Sequence, residues 1–149
     1  ILCMGCKSMV IAASGDGILV SDKEQSAQIK PYVDKLAGQA MYAEKSWGSF
    51  TVLDVQDDSM TIKVELLPGH SLHYHSHEHR DEVWTVMSGM GSVIIDGMQR
   101  MVRPGDVVTM PAGCKHTLIA ETKVSVIEVQ LGKDINVDDK KKFDLDIKE

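Results

Sequence analysis

Cysteine is scarce, with three in 149 residues. Three thiols cannot form the paired framework that holds small secreted domains together, so the fold must rest on an apolar core. Cys3 and Cys6 make a lone CxxC with no second ligand pair nearby. A redox or zinc role competes there with two incidental thiols, and the second reading is the simpler one. Such cysteine usage fits a cytoplasmic protein. Long apolar runs are missing too. None approaches the ~18–20 residues that a membrane span requires, so no membrane partner is expected. The first 13 residues lack a basic stretch, and Lys7 interrupts their apolar run, so they are not read as a secretion signal. There is no surplus of basic charge: 16 Lys and Arg stand against 22 Asp and Glu, a net charge of −6. A phosphate backbone needs a basic face, so nucleic acid is not an expected partner. The longest basic run, Lys140-Lys141-Lys142, lies among Asp138, Asp139 and Asp144 and reads as a solvated tail. No glycine-rich loop able to cradle a triphosphate occurs anywhere. The chain begins with Ile1 rather than Met, as a fragment or a processed chain would.

What remains is an ordinary globular composition, 43% apolar and 26% charged, in a length that suits one domain plus an appendage. In the first zone, the apolar runs 9–13 and 18–20 flank Ser14-Gly15-Asp16-Gly17 and read as two short strands around a turn. Ser21 and Glu24 have capping-box spacing. Ile29, Val33 and Leu36 follow at helical spacing, with Gly38 as a stop. Pro31 should divide that helix into a short turn and a longer one. From 47 to 132 the chain is strand after strand: 49–55, 60–67, 72–77, 82–88, 92–96, 98–103, 106–110, 117–121 and 124–131. Glycine and proline pairs separate them, and Asp96-Gly97 is a strong two-residue hairpin signal. Regular short strands of this kind mean an all-β sandwich or barrel. From Lys133 on, the chain is charged, and a peripheral strand or a loose tail is expected.

Five of the six histidines fall between positions 70 and 79, and the sixth is His116. Side chains alternate along a strand, so His73, His75, His77 and His79 share a face wherever the strand stays regular. A polar solvent-facing strand would need no further account. The following strand, Val83-Trp84-Thr85-Val86-Met87, looks half buried, however, and buried imidazoles need hydrogen-bond partners or a metal. His75-x-His77 is followed after four residues by Glu82. Pro111-x-Gly113 is followed after two by His116. Three imidazole nitrogens and one carboxylate oxygen suit one divalent metal ion (Zn, Mn, Fe, Co or Ni). His73 and His79 are the next candidates, as ligands or as their supports.

These two spacings, in this order, resemble the paired motifs of the cupin superfamily, with Ala120 where the second motif usually ends in Asn. The resemblance implies a cupin barrel, that is, a double-stranded β-helix or jelly roll, with a short N-terminal strand and helix appendage. It implies His75, His77, Glu82 and His116 as the metal ligands. Glu44-Lys-Ser-Trp-Gly-Ser-Phe50, His79-Arg-Asp-Glu-Val-Trp84, Pro111-Ala-Gly-Cys-Lys-His116 and Ile127-Glu-Val-Gln-Leu-Gly132 resemble one group more closely. That group is the type II mannose-6-phosphate isomerase domain, which commonly follows a mannose-1-phosphate guanylyltransferase domain. The chain departs from this pattern at His75, Glu78 and Val83. Residues 1–43 are similar to the tail of the nucleotidyltransferase region, 44–132 to the cupin barrel, and 133–149 form the charged tail.

The resemblance implies isomerisation of mannose 6-phosphate to fructose 6-phosphate through an enediol, with a sugar phosphate as the small-molecule partner. The metal would polarise the carbonyl. His79 and Glu78 are the candidate bases by position. Arg80 is the first candidate for the substrate phosphate, followed by Lys63 and Lys115. A salt bridge to a neighbouring carboxylate is the plainer reading of Arg80. Guanylyl transfer by this chain alone is not expected. The rival readings are a metal-binding cupin without catalysis, serving dimerisation or sugar sensing, and a different metal enzyme on the same fold. A homodimer formed through an edge strand is expected.

Overall fold

The computed structural model describes residues 1–14, 17–36, 40–133, 135–136 and 139–145. The chain separates into two compact units, 1–42 and 43–149.

In the first unit, β1 (Met9–Ser14) and β2 (Gly17–Asp22) form the expected antiparallel hairpin, while Gly15 and Asp16 of its turn lie outside the described residues. Ser21 ends up inside β2 rather than at a helix cap. The Asp22 carboxylate closes the turn after β2 by accepting the Glu24 amide at 2.8 Å, and the next helical turn is capped at Gln25 with no side-chain bond. A 3-10 turn (Ser26–Gln28) precedes α1 (Lys30–Leu36), so the helical stretch is divided as Pro31 requires. Pro31 sits in the first turn of α1, where a missing N–H leaves no helical bond unmade. The Gly38 stop lies outside the described residues.

The second unit holds two sheets. Its strands are β3 (Tyr42–Lys45), β4 (Gly48–Val55), β5 (Ser59–Leu66), β6 (His75–His77), β7 (Arg80–Ser88), β8 (Gly91–Ile95), β9 (Met98–Val102), β10 (Val107–Met110), β11 (His116–Ala120), β12 (Val124–Gly132) and β13 (Lys140–Lys142). One sheet runs β10-β7-β12-β5-β4-β3, the other β13-β6-β11-β8-β9. Alternation decides which side chains turn inward. On β5, Met60, Ile62, Val64 and Leu66 are buried while the residues between them are half-buried. On β7 the buried set is Glu82, Trp84 and Val86, and on β12 it includes Val126, Glu128 and Gln130. Trp84, Leu66, Ile94, Met110 and Leu118 are the largest fully buried side chains, each contributing about 1.5–3 kcal/mol by leaving water. Among the described residues no helix is long and apolar enough to cross a membrane.

Two strand expectations change. The run 72–77 is regular only over β6, because burial at both Tyr74 and His75 breaks the alternation. His73 and His79 are therefore exposed and do not share the face of His75 and His77. The lysine run read as a solvated tail is a paired strand, β13, on the open edge of β6, the peripheral strand that was one of the two forms expected of this stretch.

The turns are set by residues that tolerate positive φ. Asp96 (φ 47°) and Gly97 (φ 85°) make the β8–β9 hairpin, pairing Ile95 with Met98. Gly89 has φ +81°, and a Cβ there would lie 2.1 Å from the Lys123 carbonyl oxygen. Gly89→Ala should therefore lose about 2–3 kcal/mol from left-handed strain plus a backbone clash. Urea unfolding measures this, and a loss under ~0.5 kcal/mol would contradict it.

Candidate metal centre

Three strands meet to build the centre. β6 points His75 and His77 to the same side. β11 begins with His116, which pairs directly with His75. β7 brings Glu82 inward next to Trp84. All four side chains are buried, and one ligand atom from each lies within 4.8 Å of every other. Glu82 stands at the middle. Its Oε1 is 3.1 Å from His77 Nε2 and its Oε2 is 3.1 Å from His116 Nε2. The Trp84 indole donates to Oε2 at 3.2 Å, and Arg80 Nε donates to Oε1 at 3.1 Å.

The backbone selects the ring nitrogens that face the centre. His75 Nδ1 lies 2.5 Å from the His73 carbonyl, His77 Nδ1 2.9 Å from the Asp139 carbonyl, and His116 Nδ1 3.0 Å from the Cys114 carbonyl. A carbonyl only accepts, so each Nδ1 carries the proton and each Nε2 offers a lone pair. Lone pairs on His77 and His116 then face carboxylate oxygens at 3.1 Å; the Arg80 guanidinium bridges the His77 pair, and the His116 pair repels unless a further cation joins it. This donor set fits a divalent metal ion, with the outer hydrogen bonds orienting the ligands as metal sites require.

Electrostatics agree. Burial, helped by Lys140 and His116, pushes His75 down to about 2, so its imidazole is neutral at ordinary pH. Burial alone would raise Glu82, but it is held well below the usual carboxylate range by His116 and His77, whose Nε2 atoms stand where donors or a cation would. Glu128, inward on β12 opposite Trp84, behaves in the other sense. Burial and the neighbouring Glu82 push it up to about 8, against the hydrogen bond donated by Gln130.

A cavity of about 470 Å³ is lined by Glu78, His79, Asn136, Asp139, Lys140 and Lys141, and meets the centre through Asp139, whose carbonyl faces His77 Nδ1. The structure thus places Glu78 and His79 together in one cavity wall. Arg80 is half-buried and engaged: besides Glu82 it reaches the Asn136 carbonyl at 3.1 Å and His77 Nε2 at 3.1 Å. Lys63 lies on the outward-alternating side of β5 with Glu65 at 3.4 Å. Lys115 sits over the Phe143 ring, 4.3 Å from its centroid. Neither lysine joins the cavity lining. The sequence reading missed Glu128, Gln130, Asn136 and the 139–141 contributors. Ile127-Glu-Val-Gln-Leu-Gly132 did carry a signal for the first two, because two polar residues alternate there with apolar ones in a strand otherwise fit for a core.

The family model described as mannose-6-phosphate isomerase C-terminal matches residues 34–145. Among curated relatives, the mannose-1-phosphate guanylyltransferase of Escherichia coli (strain K12) is 26% identical over 149 residues, covering 94% of this chain and 31% of that protein. Mannose-1-phosphate guanylyltransferase ManC of Salmonella typhimurium is 26% identical over 150 residues, with 95% and 31% covered. This chain spans about a third of the length of these relatives. Among solved structures, KdgF from Halomonas sp. aligns with a TM-score of 0.59 at 22% identity, covering 64% of this chain and 90% of that one. An RmlC-like cupin from Shewanella frigidimarina aligns with a TM-score of 0.58 at 20% identity, covering 64% and 86%. These likenesses establish the two sheets as a cupin double-stranded β-helix.

Two outcomes follow from this geometry. His75→Ala should lower bound Zn or Mn at least tenfold by elemental analysis, and metal content equal to the unsubstituted protein would refute His75 as a ligand. The second concerns Glu128, whose carboxyl has an ordinary value of 4.5. Folding raises it to about 8, so the folded state holds an extra proton between those values. The stability this group contributes is complete below about pH 4.5 and is lost as pH rises through about 8. In metal-free protein, Glu128→Gln should gain in urea midpoint over the unsubstituted chain between pH 5 and pH 8.5. A difference that stays flat would contradict the protonated carboxyl.

Proposed function

We propose, for a chain that belongs to the mannose-6-phosphate isomerase C-terminal family, a metal-dependent isomerisation that interconverts mannose 6-phosphate and fructose 6-phosphate. The buried His75, His77, Glu82 and His116 donor set is the observation that carries this reading. A bound Zn, Mn, Fe, Co or Ni ion would supply Lewis-acid polarisation of a sugar carbonyl.

The chain's own residues supply the proton chemistry and the binding. A base removes the proton from C2 and returns it to C1 through an enediol, while a proton passes between O1 and O2. Aldose and ketose then differ only in hydrogen positions, and no other reactant is needed. Glu78 and His79 are assigned the base role because they are exposed in the cavity wall. Arg80, expected to hold the substrate phosphate, is assigned instead to hold Glu82 in place through its Nε, its other two guanidinium nitrogens being engaged by the Asn136 carbonyl and His77 Nε2. Lys140 and Lys141 line the cavity and suit the substrate phosphate better than Lys63 or Lys115, which face elsewhere. Guanylyl transfer, for which the curated relatives are named, is not assigned to this chain.

The test is conversion of mannose 6-phosphate by metal-loaded and chelated protein. Turnover should vanish on chelation, return with a divalent ion, and fall at least 100-fold in His116→Ala. No turnover by fully metallated protein would leave the non-catalytic cupin reading in its place.

A further inference from the structure

The strand that carries two of the four ligands is weakly held by the barrel itself. β6 shares one registered pair with β11, His75 with His116, and its His77 carbonyl accepts the Gly113 amide. It shares three with β13: His77 with Lys140, Ser76 with Lys141, and His75 with Lys142. Asn136 and residues 139–143 add specific bonds around this pairing. The Asp139 carbonyl accepts His77 Nδ1, and the Asp139 carboxylate accepts the Glu78 amide at 3.0 Å and the His79 amide at 3.2 Å. Asn136 accepts the Asp139 amide through its side chain and Arg80 Nη1 through its carbonyl, while the same guanidinium grips Glu82. The Phe143 amide donates to the Tyr74 carbonyl at 2.9 Å, and the two rings meet edge-on at 6.4 Å. This segment therefore touches His77 directly, His75 through strand pairing, and Glu82 through Arg80.

The same segment buries little apolar surface. Lys140, Lys141 and Lys142 are all exposed. Polar, solvent-facing contacts of this kind open at low free energy, unlike core strands. Docked, the segment fixes the tautomer and direction of His77. Undocked, it frees that ring and removes most of the pairing of β6. A metal ion held by His77 must favour the docked state, and by linkage its binding must tighten the docking in return.

We infer that Asn136 and residues 139–143 form a metal-coupled clasp in which Asp139 is the positioning residue, so that metal affinity and the docking of this C-terminal segment rise and fall together. The clasp concerns metal retention and holds whether or not the centre isomerises sugar phosphates.

The test titrates metal-free full-length protein with Zn2+ by calorimetry, beside Asp139→Ala, Asp139→Asn and Asp144→Ala. Asp139→Ala should bind about tenfold more weakly, as loss of an orienting partner does in other metal sites. Asp139→Asn, which keeps a side-chain oxygen for one of the two amides, should recover most of that loss. Asp144→Ala removes the same charge from the same segment and should stay within twofold of the unsubstituted chain. Hydrogen exchange supplies a readout on the unsubstituted protein alone: Zn2+ should slow exchange at the Lys140–Lys142 amides at least tenfold. Unchanged exchange would overturn the proposal whatever the variants do. So would equal losses in Asp139→Ala and Asp144→Ala, which would reduce the effect to general attraction of a cation.

Discussion

Everything at the centre of this protein depends on where three imidazole protons point. Each of His75, His77 and His116 gives its Nδ1 proton to a backbone carbonyl, and each is left with a lone pair aimed at the same small volume as the Glu82 carboxylate. Four acceptors converging in a buried space are costly unless a cation satisfies them. The protein supports this arrangement with Arg80 and Trp84, both donating to Glu82, and surrounds it with an apolar core that excludes competing solvent. The site is thus less a set of ligands than a set of backbone carbonyls, each placed by a strand or a turn.

The barrel supplies those placements economically. Glu82 and Met110 are cross-strand partners, and Pro111 to Gly113 turn the chain so that His116 opens β11 opposite His75. The Gly113 amide bonds the His77 carbonyl, tying that turn to β6. Asp81, whose side chain accepts the Ala112 amide at 2.7 Å, ties it to β7 as well. The second motif is therefore anchored to the first at two points before its histidine is reached.

Much of this was legible in the sequence because the relevant periods are short. Alternation on β5, β7 and β12 announced the inward faces, and Asp96-Gly97 announced its hairpin. The four residues that converge at the centre were readable from two spacings. His73 and His79 misled because strand alternation was extended past the three residues over which β6 is regular. Val83, where the chain departs from the family pattern, alternates away from Glu82 and faces the other side of the sheet. The role of Asn136 and residues 139–143 was invisible for a different reason. Its contacts with His77 and Glu78 span about sixty positions and run largely through backbone atoms, which leave no residue-type pattern behind. Charge composition described that stretch only as soluble.

The pairing of β13 with β6 also bears on where this domain ends. The regular strand pattern stops at Gly132, and a boundary drawn there would retain all four ligands and both motifs. It would also turn the metal-bearing strand into a bare three-residue edge, open to pairing with any other extended chain. The backbone pairing that completes β6 therefore runs to Phe143. Recombination that shuffles this barrel between longer proteins would have to move its acidic and lysine-rich tail along with it.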